Sequence, residues 1–153
     1  MIEDGTPRVL EFNARFGDPE CQALLMRLKG DLVEVMLAVA ERRLAGKRLE
    51  WDSRASVCVV LAAEGYPGKV TKGDAITGLD SLREWSSGMV FHAATARRGG
   101  ETITDGGRVL GVTALGGSLR EAVDEAYRAV GMIHWRGMQY RKDIAARALG
   151  RAS

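Results

Sequence analysis

Residues 55–63, with the sequence ASVCVVLAA, form a continuous run of small and β-branched side chains without a charged residue. A strand with one solvent-exposed face alternates apolar and polar residues. This run does not alternate, so it predicts a strand that is buried on both faces. The turn residues Gly65-Tyr66-Pro67-Gly68 close the run. A fold that contains this strand must cover it from both sides.

Two more strand patterns follow, MVFHAATARR at 89–98 and ETITDGGRVLGVTALGG at 101–117, and the second folds back at residues 105–107. Ser118 and Glu121 form a capping box before a helical pattern that ends at Gly131. The tail at 134–150 is predicted to form a last strand with a short helix. These segments predict an antiparallel β unit with flanking helices.

The first third of the chain is predicted to contain a hairpin and two helices. MIEDGTPRVLEFN has the pattern of two short strands around an Asp4-Gly5 turn. Asp18 is placed to cap a helix with Pro19 at its first position, ending near Gly30, and Asp31 then begins a second helix that ends near Gly46. Because strands and helices come in blocks, the predicted fold class is α+β.

The composition indicates one ordinary globular core. The 153 residues are 46% hydrophobic and 27% charged, and the net charge of +2 is spread along the chain without a basic tract, so nucleic acid is not implied. No apolar stretch approaches the roughly 20 residues that cross a bilayer. Cys21 and Cys58 belong to no CxxC pair, which favours buried thiols in a reducing compartment and predicts a cytoplasmic protein.

The stretch LEFNARFGDPE, residues 10–20, alternates apolar and polar residues up to Arg15, as a strand does. On a strand Leu10, Phe12 and Ala14 would face one way, and Glu11, Asn13 and Arg15 the other. A carboxylate and an amide oxygen two residues apart can both reach one hard cation, which suits Mg²⁺. Arg15 supplies a rigid fork for a phosphate.

The same spacing is also typical of the wet face of an amphipathic sheet, and this alternative stays open on the residues alone. Gly17 permits a turn with positive φ. The Asp18-Pro19 pair begins a helix whose amides could receive an anion, although a helix cap explains Asp18 equally well.

LEFNARFGDPECQ resembles the end of the ATP-grasp domain of phosphoribosylamine–glycine ligases (glycinamide ribonucleotide synthetases) of purine biosynthesis. The likeness continues through VVLAAEGYPG, VFHAATA, GGRVLGVTALGGSLREAVDEAY and IHW to RKDIAARAL, almost the whole chain. It implies that residues 1–46 are the C-terminal end of an ATP-grasp domain. Residues 47–153 would be a small antiparallel β domain, similar to a rudiment single hybrid or barrel-sandwich domain.

The resemblance also implies roles for individual residues. Glu11 and Asn13 would bind Mg²⁺ or Mn²⁺ with the ATP phosphates, and Arg15 would lie near the transferred phosphoryl group. Gly17 and Asp18 match the same motif, and a substrate-binding role is expected from their position.

The implied reaction joins glycine to 5-phosphoribosylamine through glycyl phosphate, with ATP as co-substrate. The likeness covers only about the last third of such an enzyme, so the chain is expected to be a C-terminal fragment, or the product of an internal start at Met1. The fragment alone is expected to be inactive and to need the remainder of the ligase chain as its partner.

Alternatives from other classes are a barrel-sandwich carrier domain and a regulatory or assembly module. A carrier needs an exposed lysine at a hairpin tip, and the tip TDGGR contains none. Tyr66 is expected to lie in an ordinary turn or to point at a neighbouring active site. His92 and His134 lack further ligands at metal spacing and are predicted to be structural. Arg141 and Lys142 belong either to a solvated charge run, which is favoured, or to a phosphate contact.

Overall fold

The computed structural model describes residues 2–3, 5–10, 12 and 14–150. They form an α+β fold of small antiparallel sheets and few helices. The strands are β1 (Ile2–Glu3), β2 (Thr6–Pro7), β3 (Leu28–Lys29), β4 (Glu50–Trp51), β5 (Ala55–Ala62), β6 (Gly88–His92), β7 (Thr95–Arg98), β8 (Glu101–Thr104) and β9 (Arg108–Gly116). The helices are α1 (Glu20–Leu25), α2 (Leu32–Ala40), α3 (Leu119–Val130) and α4 (Ala146–Leu149), with a 3-10 turn at Leu79–Leu82. No helix among the described residues has the length and apolarity needed to traverse a bilayer.

The central sheet has the strand order β5-β9-β6, and every pairing in it is antiparallel. Smaller two-stranded sheets pair β1 with β2, β3 with β4, and β7 with β8. The first of these confirms the hairpin predicted at the start of the chain. The turn predicted at Gly65–Gly68 is also confirmed, since the Gly68 amide donates to the Gly65 carbonyl at 2.7 Å.

Helices α1 and α3 lie on opposite faces of the central sheet, and both contact β5 and β9. A Cβ built at Gly111 would lie near Gln22 of α1, and a Cβ at Gly116 would meet the backbone of α3. Because these glycines are an odd number of residues apart on one strand, they face opposite sides. Strand β5 is therefore covered on both faces, but the prediction of burial on both is only partly confirmed, because Val57, Val59 and Leu61 are buried while Ser56, Cys58 and Val60 on the other face are half-buried.

The core lies between the central sheet and α3. Its largest side chains with less than 2% exposure include Leu61 of β5, Leu110 of β9 and Ile133. Ser118 caps α3 as predicted, because its hydroxyl accepts from the Glu121 amide at 3.2 Å. The Glu121 carboxylate in turn accepts from the amide of Gly117 at 2.9 Å.

The contact between β9 and α3 leaves no room for a methyl group at Gly116. A Cβ there would lie 2.8 Å from the carbonyl carbon of Glu121 and closer still to the backbone nitrogen of Ala122. We expect Gly116→Ala to lower the free energy of unfolding by about 1–3 kcal/mol, because backbone atoms cannot give way as a side chain does. Urea unfolding measures this loss.

Gly117→Ala is the matched control for that substitution. A Cβ at Gly117 would meet the mobile end of the Glu121 side chain at 3.0 Å, so we expect a smaller loss. Equal losses in the two variants would contradict the steric explanation.

The strand predicted at Leu10–Arg15 is wrong for the residues that the structure describes. Residues 8–10, 12 and 14–17 belong to no strand. Leu10 and Phe12, predicted to pack, are 73% and 90% exposed. A strand requires a neighbouring strand for its backbone groups and cover for its apolar face, and local alternation supplies neither.

Helix α1 is shorter than predicted, and the prediction that Asp18 caps it is wrong. It begins at Glu20 and ends at Leu25, and the Asp18 side chain does not cap it. The helix does not reach Gly30 because Leu28 and Lys29 instead pair with β4. Pairing with a distant segment here outweighs the helical pattern of the sequence.

Helix α2 begins as predicted, since the carboxylate of Asp31 accepts from the Val33 amide at 2.7 Å. The helix ends at Ala40, before the predicted Gly46. Its apolar side chains are mostly exposed, and Ala38 is its one buried residue. The exposed apolar residues of the first third of the chain, here called the N-terminal apolar surface, are Val9, Leu10, Phe12, Phe16, Leu24, Val33, Met36, Leu37, Val39, Leu44, Leu49 and Trp51.

The strand predicted over 89–98 is divided in two, because the chain bends at residues 93 and 94 between β6 and β7. The second predicted strand segment divides into β8 and β9 at the predicted turn, but the two strands do not form the expected hairpin, because β8 pairs with β7 while β9 pairs with β5 and β6. In the tail, α4 confirms the predicted short helix. In place of the predicted last strand the tail forms two isolated bridges, His134 to Thr77 and Gln139 to Ala62.

Candidate functional site

The predicted site residues divide into two groups. Glu11 and Asn13, the predicted metal ligands, lie outside the described residues. Arg15, Gly17 and Asp18 lie within them, in the segment 15–20 that leads into α1 and is here called the entry turn. Their roles in catalysis and substrate binding stay predictions.

Each described member of the entry turn has a defined local contact. Arg15 is exposed and donates from Nη1 to the carbonyl of Phe16 at 3.2 Å. The carboxylate of Glu20 lies where a Cβ of Gly17 would be, so a larger residue at 17 would displace it. Gly17 permits a positive φ, but its φ in the structure is not positive. The Glu20 carboxylate is the end of a flexible side chain, so its close approach does not by itself require glycine at 17.

Asp18 uses its carboxylate and its carbonyl on different partners. Nε2 of Gln22 donates to Oδ1 of Asp18 at 3.1 Å, which ties the turn to α1. The backbone carbonyl of Asp18 accepts from Nη1 of Arg108 at 2.7 Å, and Nη2 of Arg108 lies 3.9 Å from Oδ2 of Asp18. Asp18 therefore joins the predicted catalytic segment to the central sheet.

Sequence reasoning gave Arg108 no role, although it lies within the GGRVL segment that carries the family resemblance. Arg108 is the first residue of β9 and follows the β8–β9 turn directly. The signal that points to it is a charged residue beside two glycines at the end of a buried strand. Without the fold, nothing in the sequence indicates that it contacts a turn 90 residues earlier.

The β8–β9 turn packs against two other loops of the same edge. A Cβ at Gly107 would lie 2.5 Å from the ring of Tyr66, and a Cβ at Gly106 would lie 2.6 Å from the Cβ of Ala94. Tyr66 thus covers this tip, and its predicted turn lies next to Arg108. The two glycines are needed for close packing of the three loops.

The two histidines have local partners. Nδ1 of His92 lies 2.9 Å from Oγ1 of Thr95, and the carbonyl of His134 accepts from the amide and the hydroxyl of Thr77. His92 also lines a groove of about 590 Å³ between the 3-10 turn and strands β6 and β7. None of the described site residues predicted from the sequence lines this groove.

Arg141 belongs to an exposed ion pair. Its Nη2 lies 2.6 Å from Oδ2 of Asp143, and this hydrogen bond lowers the pKa of the Asp143 carboxyl. Lys142 lines a separate groove with residues of α3 and α4. These contacts fit the favoured interpretation of a solvated charge run.

Both cysteines are free thiols and half-buried. Burial raises the pKa of the Cys58 thiol. A raised pKa keeps the thiol protonated, which makes it a poor nucleophile or metal ligand.

The described residues hold no group of three or more His, Cys, Asp or Glu side chains that could bind a metal ion. The predicted donors Glu11 and Asn13 offer a carboxylate and an amide oxygen, and oxygen ligands are the kind that Mg²⁺ prefers. By donor chemistry these two residues fit a magnesium or manganese ion whose other positions are taken by water and phosphate oxygens.

Comparison with known proteins finds a matching family model and several similar ligases. The family model described as the C domain of phosphoribosylglycinamide synthetase matches residues 56–147. A phosphoribosylamine–glycine ligase of Rhodopirellula baltica is 55% identical over 150 residues, which make up 97% of this chain and 34% of that protein. The ligase of the same name from Escherichia coli K12 is 52% identical over 153 residues, or 99% of this chain and 35% of that protein.

A solved structure agrees with these relatives. The crystal structure of a phosphoribosylamine–glycine ligase from Thermotoga maritima superimposes with a TM-score of 0.73 at 34% identity, covering 94% of this chain and 34% of that chain. The chain therefore spans about a third of the length of the curated relatives that it matches.

Proposed function

This chain belongs to the family of phosphoribosylglycinamide synthetase C domains, and from that premise we propose that it is the C-terminal portion of a phosphoribosylamine–glycine ligase in purine biosynthesis. The observation that carries the proposal is the likeness to ligases of that name along nearly the whole chain, at about half of all positions. Similarity at this level favours shared chemistry as well as a shared fold.

In the proposed reaction a carboxylate oxygen of glycine attacks the γ-phosphorus of ATP, which releases ADP and forms glycyl phosphate. The amine of 5-phosphoribosylamine then attacks the acyl carbon, phosphate leaves, and an amide forms. Both steps bring negative groups together, so positioning and charge stabilisation supply most of the catalysis.

Within this reaction Glu11 and Asn13 are the proposed ligands of Mg²⁺ or Mn²⁺. The metal, when bound, would neutralise charge on the ATP phosphates. Arg15 is the proposed catalytic cation, since its exposed guanidinium is available to a transferred phosphoryl group. Gly17 and Asp18 are proposed to contact substrate from the entry turn.

The proposed domain boundary follows residue 46. Residues 1–46 would be the end of an ATP-grasp domain, and residues 47–153 a β-rich domain of barrel-sandwich type. Support comes from the family model, which begins at residue 56, and from the core, which lies mainly in residues 57–135. The two parts meet where α1 packs on β5 and β9.

The remainder of the ligase is the proposed partner of this chain. Isolated apolar side chains at a protein surface are ordinary, whereas a contiguous apolar area marks an interaction site. In α2, Val33, Met36 and Leu37 lie three and four residues apart, so they share one side of the helix, and each is more than half exposed. The missing two thirds of the ligase would cover this area in a cytoplasmic enzyme.

A non-catalytic carrier module is the second candidate considered from the sequence. The turn between β8 and β9, which was predicted to be a hairpin tip, contains Asp105, Gly106 and Gly107, with Arg108 after it. A carrier would place a modifiable lysine at such a tip. The residues at this tip favour the ligase over the carrier.

The test of the proposal compares the complete ligase with this chain alone. In the complete ligase we expect sustained ADP formation only when glycine and 5-phosphoribosylamine are both supplied, because without the amine the glycyl phosphate formed with the first ADP is not consumed. For residues 1–153 alone we expect no ADP and no binding of Mg·ATP stronger than about millimolar, because the parts that hold the adenine are outside the chain. Calorimetric titration and a coupled ADP assay measure the two quantities.

Micromolar binding of Mg·ATP by the chain alone would contradict the fragment assignment. A complete protein that consumes ATP without glycine would contradict the ligase assignment.

A further inference from the structure

Arg108 makes the contact that joins the central sheet to the entry turn. Its guanidinium donates to the backbone carbonyl of Asp18 at 2.7 Å, a short bond for a charged donor. The two residues are 90 positions apart in sequence. Since the charged partner Oδ2 of Asp18 is 3.9 Å away, the main acceptor is the carbonyl.

The backbone of Arg108 is fixed on both sides of the residue. Behind it, Val109 and Leu110 are buried at no more than 1% exposure, and β9 is the central strand of its sheet. In front of it, Gly107 lies against the ring of Tyr66. A residue held in this way has a defined position relative to the core.

The entry turn is held less firmly. Residues 8–10, 12 and 14 before it belong to no strand, and α1, which follows it and packs on β5 and β9, has no fully buried residue. Only Phe16 and Gly17 separate Arg15 from Asp18. A contact that fixes Asp18 therefore restricts where the guanidinium of Arg15 can lie.

We propose that Arg108 is a positioning residue, which holds the entry turn against the central sheet and so sets the position of Arg15, the proposed catalytic cation. The inference rests on the proposed function. It assigns Arg108 no contact with the reacting atoms; its effect passes through the carbonyl of Asp18.

The alternative is an ordinary surface contact. The Arg108 side chain is 40% exposed, and exposed ion pairs contribute little to stability. Both interpretations predict a small change in melting temperature on substitution. They differ in their effect on nucleotide binding, because displacement of a binding group by about 1 Å can cost about 100-fold.

The experiment uses the complete ligase with Arg108→Ala, Arg108→Lys and the control Arg98→Ala. Arg98 is an exposed arginine of β7 and lies outside the proposed site. We expect Arg108→Ala to raise the Kd of Mg·ATP and lower kcat/KM for Mg·ATP by about 10- to 100-fold. The KM for 5-phosphoribosylamine and the melting temperature should change little, and Arg108→Lys should restore part of the loss.

An Arg108→Ala variant that matches Arg98→Ala in the Kd of Mg·ATP would overturn the inference. The inference would also be overturned if Arg108→Ala worsened the Mg·ATP and 5-phosphoribosylamine constants equally and lowered the melting temperature, and if Arg108→Lys restored none of these losses. The unsubstituted ligase tests the proposed function separately. If it binds Mg·ATP but forms no amide, the function fails, while the ratio of Kd values still decides the role of Arg108.

Discussion

Replacement of Glu11 by alanine in the complete ligase is expected to lower kcat by about 1000-fold, with the folded state retained. The proposed role of Glu11 is to supply a charged oxygen ligand to the metal that neutralises the ATP phosphates. Loss of a group that stabilises charge in the transition state typically costs about 100- to 1000-fold, and loss of a charged ligand belongs at the upper end. Asn13→Ala is also expected to lower kcat, but by a smaller factor, because the amide ligand is neutral.

Steady-state assays over a range of Mg²⁺ concentrations measure this prediction, and excess metal is expected to recover part of the Asn13→Ala loss. Glu84→Ala is the matched control, since Glu84 is an exposed glutamate outside the proposed site. Retention of activity within about tenfold in Glu11→Ala would remove the metal assignment.

Leu61→Ala is expected to have the largest effect on stability, a loss of about 2–5 kcal/mol in the free energy of unfolding. Leu61 of β5 has no exposed surface and pairs with Leu110 of the central strand β9. Its removal leaves a cavity between the sheet and α3, where close packing limits collapse. Urea unfolding followed by tryptophan fluorescence measures the loss, because Trp85 and Trp135 belong to or pack against this core.

Met89→Ala provides the comparison for that measurement. Met89 lies on β6 of the same sheet but is 52% exposed, so we expect a loss below about 1 kcal/mol. Similar losses at Leu61 and Met89 would mean that the core is not where the structure has it.

The parts of the fold that the sequence predicts correctly are those set by local pattern. The apolar run of β5 and the Ser118 cap of α3 carry their own signals within a few residues. Both elements also lie in the core, so packing and local preference agree. Elements for which the local sequence pattern and the core packing favour the same structure are predicted correctly.

The errors arise where a distant segment decides the local structure. Leu28 was predicted to continue a helix, yet it pairs with Trp51 in a short sheet. Leu10 and Phe12 alternate like strand residues, yet the described structure gives them neither a partner strand nor cover. Short-range periodicity contains no information about which segment lies alongside.

The candidate site divides in the same way. The segment from Arg15 to Asp18 was predicted as a site because its residue types are those of a phosphate or metal site and because it resembles a family motif. Arg108 was not predicted, since its proposed role depends on a contact across 90 residues. The roles of Glu11 and Asn13 stay predictions.

The acceptor of the short Arg108 bond is a main-chain carbonyl, which every amino acid carries. Exchange of the side chain at position 18 therefore leaves this acceptor in place, and evolution can vary the two positions independently. Among homologous sequences we expect little covariation between positions 18 and 108. The contact therefore requires a particular amino acid only at position 108. At position 18 it requires only that the backbone carbonyl lie in the same place.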